Sequence, residues 1–179
     1  MLAGPTAAIR LVGLLRIPLL FLLRPRVLKL DDRCCEVLLP LGFVSRNHVG
    51  SMYFAALAGG ADCTAGLLAI RSSQGALTIG ALLRPTRVVP IFKSLSATFA
   101  KLADGDVTFR CEDGRAIDEA TQRTLATGER VTVPVTVVAR VPSKYGDEPV
   151  ATFTLELSMK RPAPAGTPRP KGAREGRRS

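Results

Sequence analysis

The chain has 179 residues, 46% hydrophobic and 22% charged, which is enough apolar material for one folded domain with tails and excludes a chain disordered throughout. Four cysteines exclude a disulfide scaffold, and the lack of Trp with only 5% aromatics leaves little for a base-stacking platform. The net charge of +10 sits at the ends: residues 1–30 carry +5, residues 160–179 carry +6, and residues 31–159 carry −1. The basicity therefore describes the two ends rather than the core, and no specific nucleic-acid partner is expected.

Residues 1–29 are apolar and basic. Arg10 and Arg16 interrupt the apolar pattern, Pro18 breaks it, and the longest uninterrupted apolar run, residues 17–23, is far short of the roughly 20 residues needed to span a bilayer. No small-x-small cleavage site follows that run before Arg24, and the acid-free, Arg-bearing start resembles a transit peptide except that Ser is missing. The expectation is an amphipathic segment that packs on its own domain or lies at a membrane surface, with weak peripheral contact through the basic ends of an otherwise cytoplasmic protein.

Alternation in residues 33–40 (RCCEVLLP) puts Cys35, Val37 and Leu39 on one face of a strand. Residues 50–70 run without Pro and with one charge, Asp62, over a length that favours helix. Residues 74–84 are ambiguous. Residues 91–103 place Leu95, Ala97 and Phe99 together, residues 106–112 place Val107, Phe109 and Cys111 together, and Asp104-Gly105 between them reads as a hairpin turn. A short helix follows, with Asp118 and Glu119 in its first turn and Gly128 after its end. Residues 129–140 form a strand with alternate valines inward, and Pro134 points to an edge or bulge. In residues 149–160, Ala151, Phe153, Leu155, Leu157 and Met159 share one face. Residues 161–179, rich in Pro, Gly, Ala and Arg, read as a disordered basic tail. The class is α+β: residues 30–160 form a curved antiparallel sheet of about five strands around one long, nearly all-apolar helix.

On that helix Ala55, Ala58, Gly59, Asp62, Ala65, Gly66 and Ala69 share a face by the i, i+3, i+4 rule. All are small except Asp62, and small side chains admit a close neighbour or a slender ligand. A carboxylate alone on such a face is costly unless solvated or bonded. It is either near solvent or a base or nucleophile tuned by apolar surroundings. Upstream, Asn47 or Ser51 is suited to cap the helix start, whose free amides form an anion or oxyanion site. His48, the one histidine, lies in the same loop. The cysteines lack CxxC spacing, so no metal is expected, and no phosphate-binding Gly loop or other cofactor motif is present. A Cys63–His48 dyad is a weaker alternative.

The stretch RNHVGSMYFAALAGGADCTAG resembles the central-helix signature of hotdog-fold thioesterases of the phenylacetate-degradation type, and most closely an uncharacterised branch of that superfamily. Asn47 and Gly50 match the signature, as does Ala61-Asp62-Cys63-Thr64-Ala65-Gly66, whereas Tyr53-Phe54-Ala55 stands where those enzymes have His-Gly-Gly. The strand pattern of Ala97–Lys101 and Gly105–Val107 also resembles that branch. The resemblance, over about residues 30–160, implies a hotdog domain acting as a homodimer or dimer of dimers on an acyl-CoA or acyl-carrier thioester. It implies Asp62 as base or nucleophile and Asn47 as a positioning group. The substrate would lie against Tyr53, Phe54 and Ala55, with His48 and Gly50 nearby. The alternative is a non-catalytic acyl-binding or structural protein on the same scaffold.

Overall fold

The computed structural model describes residues 4–75 and 87–162. Two short helices, α1 (Pro5–Arg16) and α2 (Pro18–Leu23), lead into strands β1 (Arg26–Leu30) and β2 (Cys35–Leu39). The long helix α3 (Phe54–Gln74) follows, then β3 (Val89–Phe99), β4 (Val107–Cys111), α4 (Gly114–Thr127), β5 (Val131–Arg140), α5 (Pro142–Tyr145) and β6 (Pro149–Lys160). The six strands form one sheet in the order β1-β2-β4-β5-β6-β3, with every pair antiparallel. The sheet wraps α3, which packs on β2, β4 and β5 and against α4.

Burial rather than intrinsic propensity makes α3 a helix. Gly59, Gly60 and Gly66 each cost about 1 kcal/mol in a helix relative to Ala, so its stability comes from apolar contact. Ala61, Cys63, Ala65, Leu67, Leu68 and Ala69 are all buried. The helix stops at Gly75, whose positive φ of 78° lets its amide donate to the carbonyl of Arg71. By length and composition α3 could cross a membrane, but the sheet covers most of it, and it is the core helix of the domain. The opposing layer is the inward row read from alternation: Val37, Leu39, Val107, Phe109, Val137, Phe153, Leu155 and Leu157 are all fully buried.

Four local expectations are corrected. The described sheet has six strands rather than about five, because residues 26–29, read as the end of the amphipathic segment, form β1 with Leu30 and pair with β2. Asp104-Gly105 is not a hairpin turn: β3 pairs with β6, while β4 pairs with β2 and β5. The link crosses to α5 instead, where Asp104 pairs with Lys144 and Gly105 leaves room for Val141. Asp118 and Glu119 lie in the second turn of α4, which begins at Gly114; Asp118 accepts from Ser72 of α3 at 3.0 Å and so ties the two helices together. Neither Asn47 nor Ser51 caps α3, whose N-cap is Tyr53 with no side-chain bond.

Pro134 sits where it harms nothing. β4 pairs with β5 only at residues 137–140, so at Pro134 the β4 side of β5 is a local edge and no ladder donor is lost there. The expected tail, residues 161–179, lies almost wholly outside the described residues, as does most of the ambiguous stretch 74–84.

The β1–β2 turn is locked by one carboxylate. Asp31 Oδ1 accepts from the amides of Arg33 and Cys34, both at 2.8 Å, with Lys29 Nζ 3.2 Å from Oδ2. The two amides first, then Lys29, hold the Asp31 carboxyl down to about 2. Its stabilising contribution is therefore full above the ordinary carboxylate value of about 4 and is lost as pH falls through about 2. Thermal unfolding of wild type and Asp31→Asn across this range should show a gap that is widest near neutrality and closes on acidification. A gap independent of pH would refute the turn-locking role.

Candidate active site

The residues singled out upstream of α3 form a tight, self-bonded loop. Arg46 and Met52 pair as an isolated antiparallel bridge, and the Asn47 amide donates to the Ser51 carbonyl at 2.8 Å. Gly50, at φ 85°, closes the turn by donating to the Asn47 carbonyl. The Asn47 side chain holds this shape: Oδ1 accepts from the amides of Val49 and Ser51, and Nδ2 donates to Ser51 Oγ at 2.9 Å. One Nδ2 hydrogen is left for anything outside the loop. Asn47 is thus an organiser of the loop that delivers the chain to α3. His48 sits exposed at the tip, two residues after Arg46, with no hydrogen bond to a described residue.

The loop is anchored at its base, because the Met52 amide donates to the Ala103 carbonyl and the Tyr53 amide to the Ser45 carbonyl, both at 2.7 Å. The Tyr53 carbonyl accepts from Ala56 and Leu57, which leaves the amides of Phe54 and Ala55 without a partner among the described residues. These are free first-turn donors of α3. Phe54, where a glycine is found in the resembled enzymes, turns its ring outward onto the edge of Tyr53, at 4.9 Å between centroids, with both rings about half exposed. The backbone at this point stays open.

Asp62 lies two turns further along α3. Its side chain opens outward, and no described residue bonds or pairs with its carboxyl. The carboxyl is nonetheless flanked by enough apolar mass that desolvation alone pushes its pKa above the ordinary carboxylate value. The stripe around it is walled at both ends: Leu23 Cδ1 of α2 is 3.2 Å from where a Gly59 Cβ would stand, and Phe92 Cε2 of β3 is 3.9 Å from the same point at Gly66. Leu23 and Phe92 are site neighbours that sequence spacing did not single out; the small residues at Gly59 and Gly66 were the available signal.

One chain does not bring all of these groups together. Seven residues at 1.5 Å per residue separate Ala55 from Asp62 by about 10 Å along the helix axis, so a carbonyl held by the first-turn amides is out of reach of the same chain's carboxylate. The Cys63–His48 dyad is also not assembled. Cys63 faces the core, with its thiol pushed up to about 12 by burial, while His48 is at the exposed loop tip. Cys35, Cys63 and Cys111 are all buried thiols with raised pKa values, the signature of inert core cysteines.

The fold recurs in solved structures. A Pseudomonas aeruginosa protein of unknown function, named a "Probable Thioesterase", superposes with a TM-score of 0.69 at 22% identity, covering 89% of this chain and 97% of its own. A thioesterase family protein from Silicibacter pomeroyi aligns at a TM-score of 0.59 and 17% identity, covering 89% of this chain and all of its own. A Chlorobaculum tepidum protein of unknown function aligns at 0.66 and 8%, covering 88% and 94%. No curated protein matches the sequence. The central helix, the six-stranded antiparallel wrap and these likenesses identify a hotdog fold, and the family model for a domain of unknown function, DUF4442, matches residues 6–154: the chain belongs to that family.

Proposed function

We propose that this protein hydrolyses an acyl thioester carried by coenzyme A or an acyl carrier, with Asp62 as general base or nucleophile, in a site completed by a second copy of the chain. The observation that carries the reading is Asp62 itself, a carboxylate with no partner among the described residues, on the small-residue stripe of the core helix, its pKa raised by desolvation. The thioesterase-family likeness supports the substrate class.

In this mechanism the thioester carbonyl oxygen lies against the free amides of Phe54 and Ala55, which stabilise the oxyanion as it forms. Asp62 takes a proton from water as the water oxygen bonds to the carbonyl carbon; the C–S bond then breaks, and the leaving thiolate takes the proton back from Asp62. In the nucleophilic variant, an Asp62 carboxylate oxygen bonds to the carbonyl carbon as the C–S bond breaks and the thiolate leaves; water then cleaves the mixed anhydride, releasing the acid and the free Asp62 carboxylate while its proton passes to the thiolate. Asn47 acts by fixing the loop that aims the amides. The roughly 10 Å between amides and carboxylate within one chain is bridged if the carboxylate comes from the other copy. The long strand β3 suits that pairing: it is last in the sheet and no described strand pairs with its other side, and Ile91, Leu95 and Phe99 are about half exposed along it. Cytoplasmic residence is part of the proposal, since four free, buried thiols suit a reducing compartment.

The test is thiol release from short-, medium- and long-chain and aromatic acyl-CoAs and acyl-carrier thioesters, with particle mass measured by light scattering on the same sample. Turnover by a dimer or larger even assembly is the expected result. A well-folded dimer that turns over none of them would move the assignment to a non-catalytic acyl-binding protein, and turnover by a monomer would sink the shared site.

A further inference from the structure

Helices α1 and α2 form a bent pair with two unlike faces. The inner face, Ala8, Ile9, Val12, Leu20 and Leu23, is buried against the domain. The pair is clamped at Gly13, where a Cβ would stand 2.9 Å from the Phe21 amide nitrogen, so only glycine lets the two backbones approach so closely. The outer face is the opposite of what a solvated bend should carry. Within residues 14–22, Leu14, Leu15, Ile17, Leu19, Phe21 and Leu22 are 40–61% exposed, a contiguous apolar crest with no polar side chain but Arg16. Crests of this kind on a soluble surface mark an interaction site.

Charge decides the occupant. Residues 1–30 contain five cations and no acid. Arg16, Arg24 and Arg26 are exposed beside the crest and form no ion pair among the described residues; Arg10 is turned back to the Pro25 and Arg24 carbonyls. A second copy would bring an equally cationic face against this one. A bilayer with anionic headgroups offers what the crest requires: acyl chains for the leucines and phosphates for arginines whose stems lie along the apolar side chains. We propose that the α1–α2 crest is a membrane-docking element that inserts its apolar side chains into the headgroup region of an anionic lipid surface, held there by Arg16, Arg24 and Arg26. The basic stretch beyond Lys160 is not required for this contact.

The chain has no Trp, so Leu15→Trp creates a single reporter in the crest. Full-length protein is mixed with vesicles of phosphatidylcholine containing about 30% phosphatidylglycerol, or of phosphatidylcholine alone. The protein should co-sediment with the anionic vesicles only, and the Leu15→Trp emission should shift to the blue and be quenched by brominated acyl chains. Leu15→Glu/Leu22→Glu should lower partition by at least about tenfold with oligomer size and thermal unfolding unchanged. Absence of binding to the anionic vesicles, or binding without a Trp shift, would overturn the proposal. So would binding that survives Leu15→Glu/Leu22→Glu but is lost when Arg169, Lys171, Arg174, Arg177 and Arg178 are changed to Gln. Dissociation of the oligomer by Leu15→Glu/Leu22→Glu with vesicle binding intact would instead assign the crest to a second copy.

Discussion

Asp62→Asn should lower kcat for thioester hydrolysis by about 10²–10⁴-fold with little change in KM, the range expected when a positioned acid–base group is removed. Asn keeps the shape and removes the negative charge, so binding along the Ala58–Gly66 stripe persists while water activation fails. The same residue sets the pH dependence. Because desolvation raises its pKa, the active carboxylate forms only above the ordinary value of about 4, and the acid limb of kcat should be displaced upward accordingly. Stability moves the other way. A carboxyl with a raised folded pKa contributes stability at low pH that is lost as pH rises through that pKa, so at neutrality Asp62 burdens the fold. Asp62→Asn should therefore unfold at the same or a slightly higher temperature than wild type at pH 7. Inactive yet undiminished in stability is the signature of a functional carboxylate; full turnover in Asp62→Asn would refute its role.

The second large effect is in the core. Phe109 fills the space left by Gly60: a Cβ there would stand 2.4 Å from Phe109 Cζ and 2.5 and 2.8 Å from Cε2 and Cε1. The ring cannot step aside easily, since it is fully buried and packs against Phe153, 6.5 Å between centroids. Gly60→Ala should cost about 1–3 kcal/mol by overpacking, despite the gain in helix propensity. Phe109→Ala should cost about 3–5 kcal/mol through lost transfer energy and the cavity left behind. Because the two positions touch, Gly60→Ala/Phe109→Leu should cost less than the sum of its singles. Urea unfolding of the four variants checks this, and a Gly60→Ala protein within about 0.5 kcal/mol of wild type would show that the ring has somewhere to go.

The parts of this fold that could be read from sequence are those with an unbroken period. β6 occupies residues 149–160 as its alternation indicated, and all five of its inward residues are buried. α3 declares itself by length without Pro. β1 is hidden in the sequence because RVLKL has only five residues, all of them at least partly exposed, and follows closely on helical leucines. The Asp104-Gly105 pair suggests a hairpin because turn chemistry is local and pairing is not: nothing in those residues reports that β3 belongs beside a strand about a third of the chain later. In the site, Asp62 and its small neighbours were visible as a pattern. The roles of Asn47 and of the Phe54 and Ala55 amides depend on where a loop folds back, which spacing does not encode. The inward turn of Leu23 onto Gly59 likewise follows from the bend at Ile17, not from any motif.

The strand order also sets a timetable. β4, β5 and β6 are neighbours in both sequence and space and can meet early, as can β1 and β2. β2 must wait for β4, and β3 for β6, with partners such as Cys35 and Cys111 or Val89 and Lys160 meeting only after most of the chain has emerged. Such long closures slow folding. During synthesis β3 leaves the ribosome long before β6 and stays unpaired for that interval, so the strand best suited to joining two finished copies is also the one most exposed to joining two unfinished ones.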